Sequence, residues 1–283
     1  MVGMRDVAKK AGVSLSTVSL VVNGNGYVSN DMRDRVRKAM QALNYVPNEL
    51  ARNLYHDRTN LVGVIVPTIR HPFFATFTAH LQHALAAQGL RTMLCSTTDE
   101  TDGEIQYVDM LRRHMMDGIV MCAHTSHPGD YWTSIHRPIV AFDRVLGNGI
   151  SSIGSDHEQG GRLIAQMLIR NGARHVVMIG GPRDQFFDLA VRGEVEEGSF
   201  DLGKTTFPTV RYYLTLEQEL TSAGVKYEYI EAGEVMDFAG YHRAVSRALD
   251  GVATDGVDTV VSSDIGAAFC VREALGRGIS IPD

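Results

Sequence analysis

Apolar residues recur at helical spacing in three short bursts over the first 45 residues: Val7, Ala8 and Ala11; Val18, Val21 and Val22; then Met32, Val36, Ala39, Met40 and Leu43. Each burst gives a helix with one apolar face. Gly12-Val13-Ser14 separates the first two, glycine tolerating the positive φ that ends a helix and serine capping the next one. Gly24-Asn25-Gly26 makes a second turn, and Ser29 caps the third helix. The first two helices are too short to persist alone and must pack on the third. The pattern therefore predicts a helix-turn-helix domain over residues 1–46, its second helix capped by Ser14 and presenting Leu15, Ser16, Thr17 and Leu20. Small polar and apolar side chains near the start of such a helix suit base edges in a major groove.

Residues 47–60 follow as a hinge and linker. Pro47 and Asn48 permit one or two helical turns over Glu49–Leu54, but such a helix has little to pack against and would be ordered by a partner. Beside a DNA-reading head, Arg52 and Leu54 suggest minor-groove insertion, with Leu54 as an apolar wedge between base steps. The alternative is a plain interdomain linker.

From Leu61 the rhythm changes to short β-rich runs alternating with amphipathic segments. Strands are read over Leu61–Pro67, Arg91–Thr97, Gly118–Ala123, Pro138–Asp143, His175–Gly181, Tyr227–Glu231 and Thr259–Ser263. Helices are read over 74–88, 102–115, 157–171, 211–223, 238–249 and 265–277. Alternation of this kind makes parallel sheets covered by helices on both faces, with ligands at the carboxyl ends of the strands. The polar residues gather at those ends: His71-Pro72-Phe73-Phe74 after the first strand, Asp143-Arg144 after the fourth and Ser263-Asp264 after the last. Aromatic rings that stack on an apolar ring face, with carboxylates that accept from hydroxyls, would suit a polyol or sugar.

Composition narrows the class. A hydrophobic share of 44% with 21% charged residues belongs to an ordinary globular chain, and no apolar run approaches the ~20 residues needed to span a bilayer. Charged Arg5, Asp6, Lys9 and Lys10 stand where a signal peptide would need an apolar core, so a cytoplasmic, non-membrane location is expected. Cys95, Cys122 and Cys270 are too scattered for a metal or disulfide framework, and His71, His80, His83, His124 and His127 lack supporting ligand spacing. No metal or cofactor is expected. Gly180-Gly181-Pro182 lacks the spacing of a phosphate-binding loop, and neither a nucleophile elbow nor a paired-carboxylate arrangement is present, which argues against an enzyme. The net charge of −6 hides a division. Residues 1–58 hold nine basic and five acidic side chains, net +4, and the rest holds 18 against 28, net −10. A basic head on an acidic body fits phosphate binding by the head.

The run DVAKKAGVSLSTVSLVVN, followed by VS, LNYVPNELARNL, LVGVIVP, HPFF, PIVAFDR, DHEQGGRLIAQMLIRNGARHVVMIGGP, GEVMDFAGY and VVSSDIGAA, resembles the lactose/galactose-repressor (LacI/GalR) family of bacterial transcription regulators. The first motif is highly specific; the later ones are shared with periplasmic sugar-binding proteins. The resemblance implies a repressor of carbohydrate-utilisation genes, a homodimer whose heads read adjacent half-sites of a pseudo-palindromic double-stranded operator. Ser14, Leu15, Ser16, Thr17, Leu20 and Asn23 would be the head's DNA-binding residues, with Ala51, Arg52 and Leu54 in the hinge helix. The core, a first lobe over 61–156 and a second over 157–283, would hold a small effector, a sugar or derivative, at Phe73, Phe74, Asp143, Arg144, Arg211, Ser263 and Asp264. Effector binding would change the lobe angle and so order or melt the hinge helices.

The chain departs from the family pattern in four places. Leu20 replaces a basic or polar base-reading side chain, and Val235 an effector-stacking aromatic. Extra residues lie within 183–210, read as a loop or hairpin over the cleft, which makes Arg192 the rival of Arg211. Beyond Ile281-Pro282-Asp283 the family would add a further strand, so the core is expected to lack its C-terminal part and to expose a sheet edge and apolar helix faces. Competing readings are a DNA-binding regulator controlled by a protein corepressor, and a sugar-binding receptor without DNA function.

Overall fold

The computed structural model describes residues 2–24, 26–47, 58–97, 103–123, 127, 130–187, 205–234 and 237–281. Ala51, Arg52 and Leu54, with Arg192 and Val235, lie outside them. Two units divide between Asn60 and Leu61, each with its own core.

The first unit is α1 (Met4–Ala11), α2 (Leu15–Asn23) and α3 (Asn30–Ala42). Gly12 takes φ +63° and bonds its N–H to the Ala8 carbonyl, ending α1. Ser14 accepts from the Thr17 N–H at 3.1 Å to start α2, and Ser29 accepts from Met32 to start α3. Val7, Val18 and Val36 are fully buried at the junction, packed with Ala8, Ala11 and Ala39. Each valine contributes about 1.5–3 kcal/mol. Arg35 on α3 reaches back to the turn, donating to the Ala11 carbonyl from Nε at 3.1 Å and Nη2 at 2.7 Å, and to the Gly12 carbonyl at 2.9 Å. These charge-assisted bonds fix the α1–α2 angle.

The second unit is α/β, with two parallel sheets. The first comprises β1 (Leu61–Val66), β2 (Arg91–Ser96), β3 (Gly118–Met121), β4 (Ile139–Phe142) and β5 (Ser151–Ile153), in the order β2-β1-β3-β4-β5. Helices α4 (Pro72–Ala87) and α5 (Ile105–Arg112) belong to this lobe. Alternation along β1 sends Ile65 into a core with Leu111, Met116, Met121 and Trp132, and Val64 and Val66 into another with Phe74 and Cys122. Both faces are covered, as a parallel sheet requires. Trp132 packs edge-on to His127 and Tyr131, and His127 Nε2 meets the buried Glu104 carboxylate at 2.6 Å.

The second lobe holds α6 (His157–Arg170), β6 (His175–Gly180), α7 (Thr209–Ser222), β7 (Lys226–Glu231), α8 (Phe238–Thr254), β8 (Thr259–Val261) and α9 (Asp264–Gly276). Its sheet runs β7-β6-β8. Every residue of β6 is buried: Val177 and Ile179 face Val245 and Leu249 of α8, while Val176 and Met178 face Leu216 and Leu220 of α7. Helices α6 and α7 approach so closely at Gly161 that a Cβ there would lie 2.6 Å from the Tyr212 carbonyl oxygen.

Three sequence expectations shift. The sequence carries no signal for strand β5: Ser151 and Ser152 are polar, and all three residues, Ile153 included, are exposed, so there is no alternation. The helix expected over 102–115 is confined to Ile105–Arg112, and that expected over 238–249 continues to Thr254. β8 stands at a sheet edge beside an apolar groove of about 400 Å³ lined by Leu249, Val257, Val260, Cys270, Val271 and Ile281. Among the described residues no helix is long and apolar enough to cross a membrane.

Candidate functional site

The head carries its candidate groups on α2. Leu15 and Leu20 are 43% and 37% exposed, Ser16 is exposed, and Thr17 and Asn23 are half-buried. The Ser14 hydroxyl lies 2.7 Å from Ser16 Oγ and 2.8 Å from Thr17 Oγ1, so the cap organises the first turn as a hydroxyl cluster. Asn23 Nδ2 donates to Ser19 Oγ at 3.2 Å, placing its amide along its own helix. Leu20 lies against the α2–α3 turn, 3.2 Å from where a Gly26 Cβ would be. Arg5, Lys9 and Lys10 on α1, with Arg37 and Lys38 on α3, are exposed. Tyr27 is 93% exposed in the same turn, following Gly24 and Gly26, both at positive φ.

The second candidate site lies where the lobes meet. Asp143 follows β4 at φ +50°. Its Oδ1 lies 2.5 Å from Nε2 of His157, the first residue of α6, and its Oδ2 accepts from Oγ1 of Thr209, the first residue of α7, at 3.3 Å. Arg144 donates from Nη1 to the Asp143 carbonyl at 2.6 Å and sets its guanidinium 4.8 Å from the Phe207 ring centre. The Val145 N–H donates to the Thr206 carbonyl at 3.0 Å. Burial pushes the Cys122 thiol up to about 12, opposed by Arg144 and aided by Asp143. Glu234, beyond β7, has its carboxyl raised, first by desolvation and then by Asp184, with Arg144 opposing.

The remaining predicted residues divide. Phe73 is 46% exposed, its ring stacked near Phe77 and Phe142 at 6.2 Å each. Phe74 is buried in the core with Val64, Val66 and Cys122, so the expected pair does not form one ring platform: helical geometry separates neighbouring side chains by about 100°. His71 is the N-cap of α4, its Nδ1 accepting from the Phe73 N–H. Arg211 is half-buried on α7, and its Nε has no hydrogen-bond partner among the described residues. Ser263 and Asp264 are exposed at the start of α9, the Asp264 carboxylate accepting from the Ile265 N–H. Sequence reasoning missed His157, Thr209 and Phe207, which the fold brings to Asp143 and Arg144. Their signal was their position at or just before two helix N-termini.

A three-helix head whose capped second helix stands exposed, followed by two parallel-sheet lobes meeting at their strand exits, is the architecture of a helix-turn-helix protein with a periplasmic-binding-protein-like core. Residues 3–48 match the model of bacterial regulatory proteins of the lacI family, and residues 59–202 match that of periplasmic binding proteins and the sugar-binding domain of the LacI family. The chain belongs to the LacI family. It is 39% identical over 178 residues to the sucrose operon repressor of Streptococcus mutans, a match covering 63% of this chain and 55% of that one. It is 31% identical to the ribose operon repressor of Bacillus subtilis over 100% of this chain and 79% of that one. The structure of a lac repressor dimer bound to operator and the anti-inducer ONPF shares the fold, with a TM-score of 0.75 and 20% identity over 99% of this chain and 79% of that one. The match thus spans little more than half the length of the sucrose operon repressor.

Proposed function

We propose that the chain is a transcriptional repressor of carbohydrate-utilisation genes whose operator affinity is set by a sugar or sugar derivative bound between the core lobes. The observation that carries this reading is the Ser14-capped α2 with exposed Leu15, Ser16 and Leu20, behind a turn clamped by Arg35, on a basic head, in a chain whose relatives include sucrose and ribose operon repressors. Two heads in a homodimer read a pseudo-palindromic operator through Ser14, Leu15, Ser16, Thr17, Leu20 and Asn23. Ala51, Arg52 and Leu54 enter the adjacent minor groove. The protein acts in the cytoplasm, is not an enzyme and needs no metal or cofactor. The ligand contacts Phe73, Asp143, Arg144, Arg211, Ser263 and Asp264, and it changes DNA affinity by preferring one lobe arrangement. A protein corepressor finds no support in the relatives.

The test is selection of random DNA fragments by the full chain, followed by a screen of sucrose, D-ribose and other sugars for release or tightening. A pseudo-palindromic site should be enriched, with binding that weakens steeply as salt rises because the head displaces counterions. Recovery of no preferred sequence would overturn the repressor reading.

A further inference from the structure

Residues 205–209 run from one lobe to the other. Thr205 Oγ1 donates to the Gln185 carbonyl just beyond β6, at 2.8 Å, and accepts from the Phe207 N–H at 3.0 Å, which pins the segment to the second lobe. From there the segment turns onto the first lobe. The Thr206 carbonyl accepts from the Val145 N–H, the Phe207 ring lies against the Arg144 guanidinium, and the Thr209 hydroxyl donates to Asp143. Thr205 and Thr206 are 3% and 4% exposed, so this is an enclosed seam between the lobes.

The chemistry of that seam is informative. One hydroxyl meets a carboxylate, one oxygen meets a backbone N–H, and one apolar ring face meets a guanidinium. A sugar would bring the same three features to a binding cleft: hydroxyl donors, oxygen acceptors and an apolar C–H face. His157 meets the other Asp143 oxygen, so both carboxylate oxygens already have partners. We propose that the segment Thr205–Thr209 is a built-in occupant of the ligand cleft, holding Asp143 and Arg144 in the ligand's absence and displaced when a ligand binds. This rests on the ligand cleft proposed above and adds a prediction about its affinity. A chain whose cleft is filled by its own segment binds ligand more weakly, by the fraction of molecules in which the segment has left.

The test compares the full chain with Phe207→Ala/Thr209→Val, which removes the ring and the hydroxyl. Both are titrated calorimetrically with sucrose and with D-ribose, and backbone amide exchange is followed at Val145. The double variant should bind at least one of the sugars about tenfold more tightly, and in the parent chain saturation with that sugar should speed exchange of the Val145 amide as the Thr206 carbonyl departs. Thr209→Val alone, which keeps the ring, should show a smaller gain in the same direction and serves if the double variant does not fold. Equal affinities in parent and variants, with Val145 still protected at saturation, would overturn the built-in occupant while leaving the ligand cleft standing. Binding of no sugar of the screened panel to any of the chains would overturn both.

Discussion

The head and the cleft are built in opposite ways. On α2, Leu15, Ser16 and Leu20 stay exposed, and the other groups proposed to meet a partner, Ser14, Thr17 and Asn23, are bonded only within or at the cap of their own helix, while Arg35 holds the turn before it. In the cleft, two central groups proposed to meet a partner are already engaged by other parts of the chain: Asp143 bonds His157 and Thr209, and Arg144 lies over the Phe207 ring. A surface of the first kind binds with little rearrangement, whereas one of the second kind must first give up contacts of its own. On the proposed function, recognition by the head is limited by its complementarity to DNA, and recognition in the cleft by competition.

The largest break in this comparison should come from Gly12→Val. A β-branched residue at φ +63° is strained by roughly 1–2 kcal/mol, and its Cβ would lie 2.9 Å from Arg35 Nη2, displacing a clamp worth about 1.5–3 kcal/mol. The small head should unfold and selected-site binding should fall at least a hundredfold, with the core's own thermal transition unchanged. A parallel fall in that transition would show that the two units do not stand on separate cores. Asp143→Ala comes next. It should abolish the change in operator affinity on adding sugar and leave ligand-free affinity as it was; a retained response, measured by fluorescence anisotropy of labelled operator, would remove Asp143 from the ligand site.

Smaller and more local is the effect of Leu15→Ala or Leu20→Ala. Each should weaken binding to the selected site about tenfold, of the order of one lost base contact, and leave binding to random DNA nearly unchanged. Equal losses on both DNAs would mean that these leucines support the head rather than read it.

The smallest effect should be at Asp258, remote in role from both sites. Burial tends to raise its carboxyl pKa but is outweighed by hydrogen bonds from the Arg174 N–H, the Thr259 hydroxyl and the His175 N–H and by the Arg174 charge, so the pKa lies below the usual aspartate value. A lowered folded-state pKa stabilises the core above the unfolded-state value, and that contribution is lost as pH falls through the folded one. Asp258→Asn should therefore melt slightly earlier at pH 7, with the gap to the parent chain closing in acid below about pH 4. A constant gap down to pH 2 would contradict the assignment.

The contrast also explains what could be read from the sequence. The head was legible because its determinants are local: an αL glycine, a serine cap three residues before the N–H it receives, and valines at helical spacing all lie within one turn of what they fix. The parallel sheets were legible from their alternation with helices. β5 was not, because its pairing with Val140–Phe142 is the only thing that makes it a strand. The cleft was legible only as a set of strand exits. Nothing in the spacing of Asp143, His157, Phe207 and Thr209 shows that they meet, because their contact depends on how two sheets and three connections assemble. Phe74 was misplaced for a related reason: adjacent aromatics read as a pair in sequence, but the helix that carries them turns one into the core.

The single tryptophan offers a last consequence. Trp132 is buried in the first lobe, edge-on to His127 and Tyr131, so the protein carries one indole, excitable apart from its tyrosines, in an aromatic nest. Its emission follows the integrity of that lobe without any label. Melting of the head leaves this signal unchanged, so that two optical channels, tryptophan emission for the first lobe and far-ultraviolet ellipticity for all helices, separate the order in which the parts come undone.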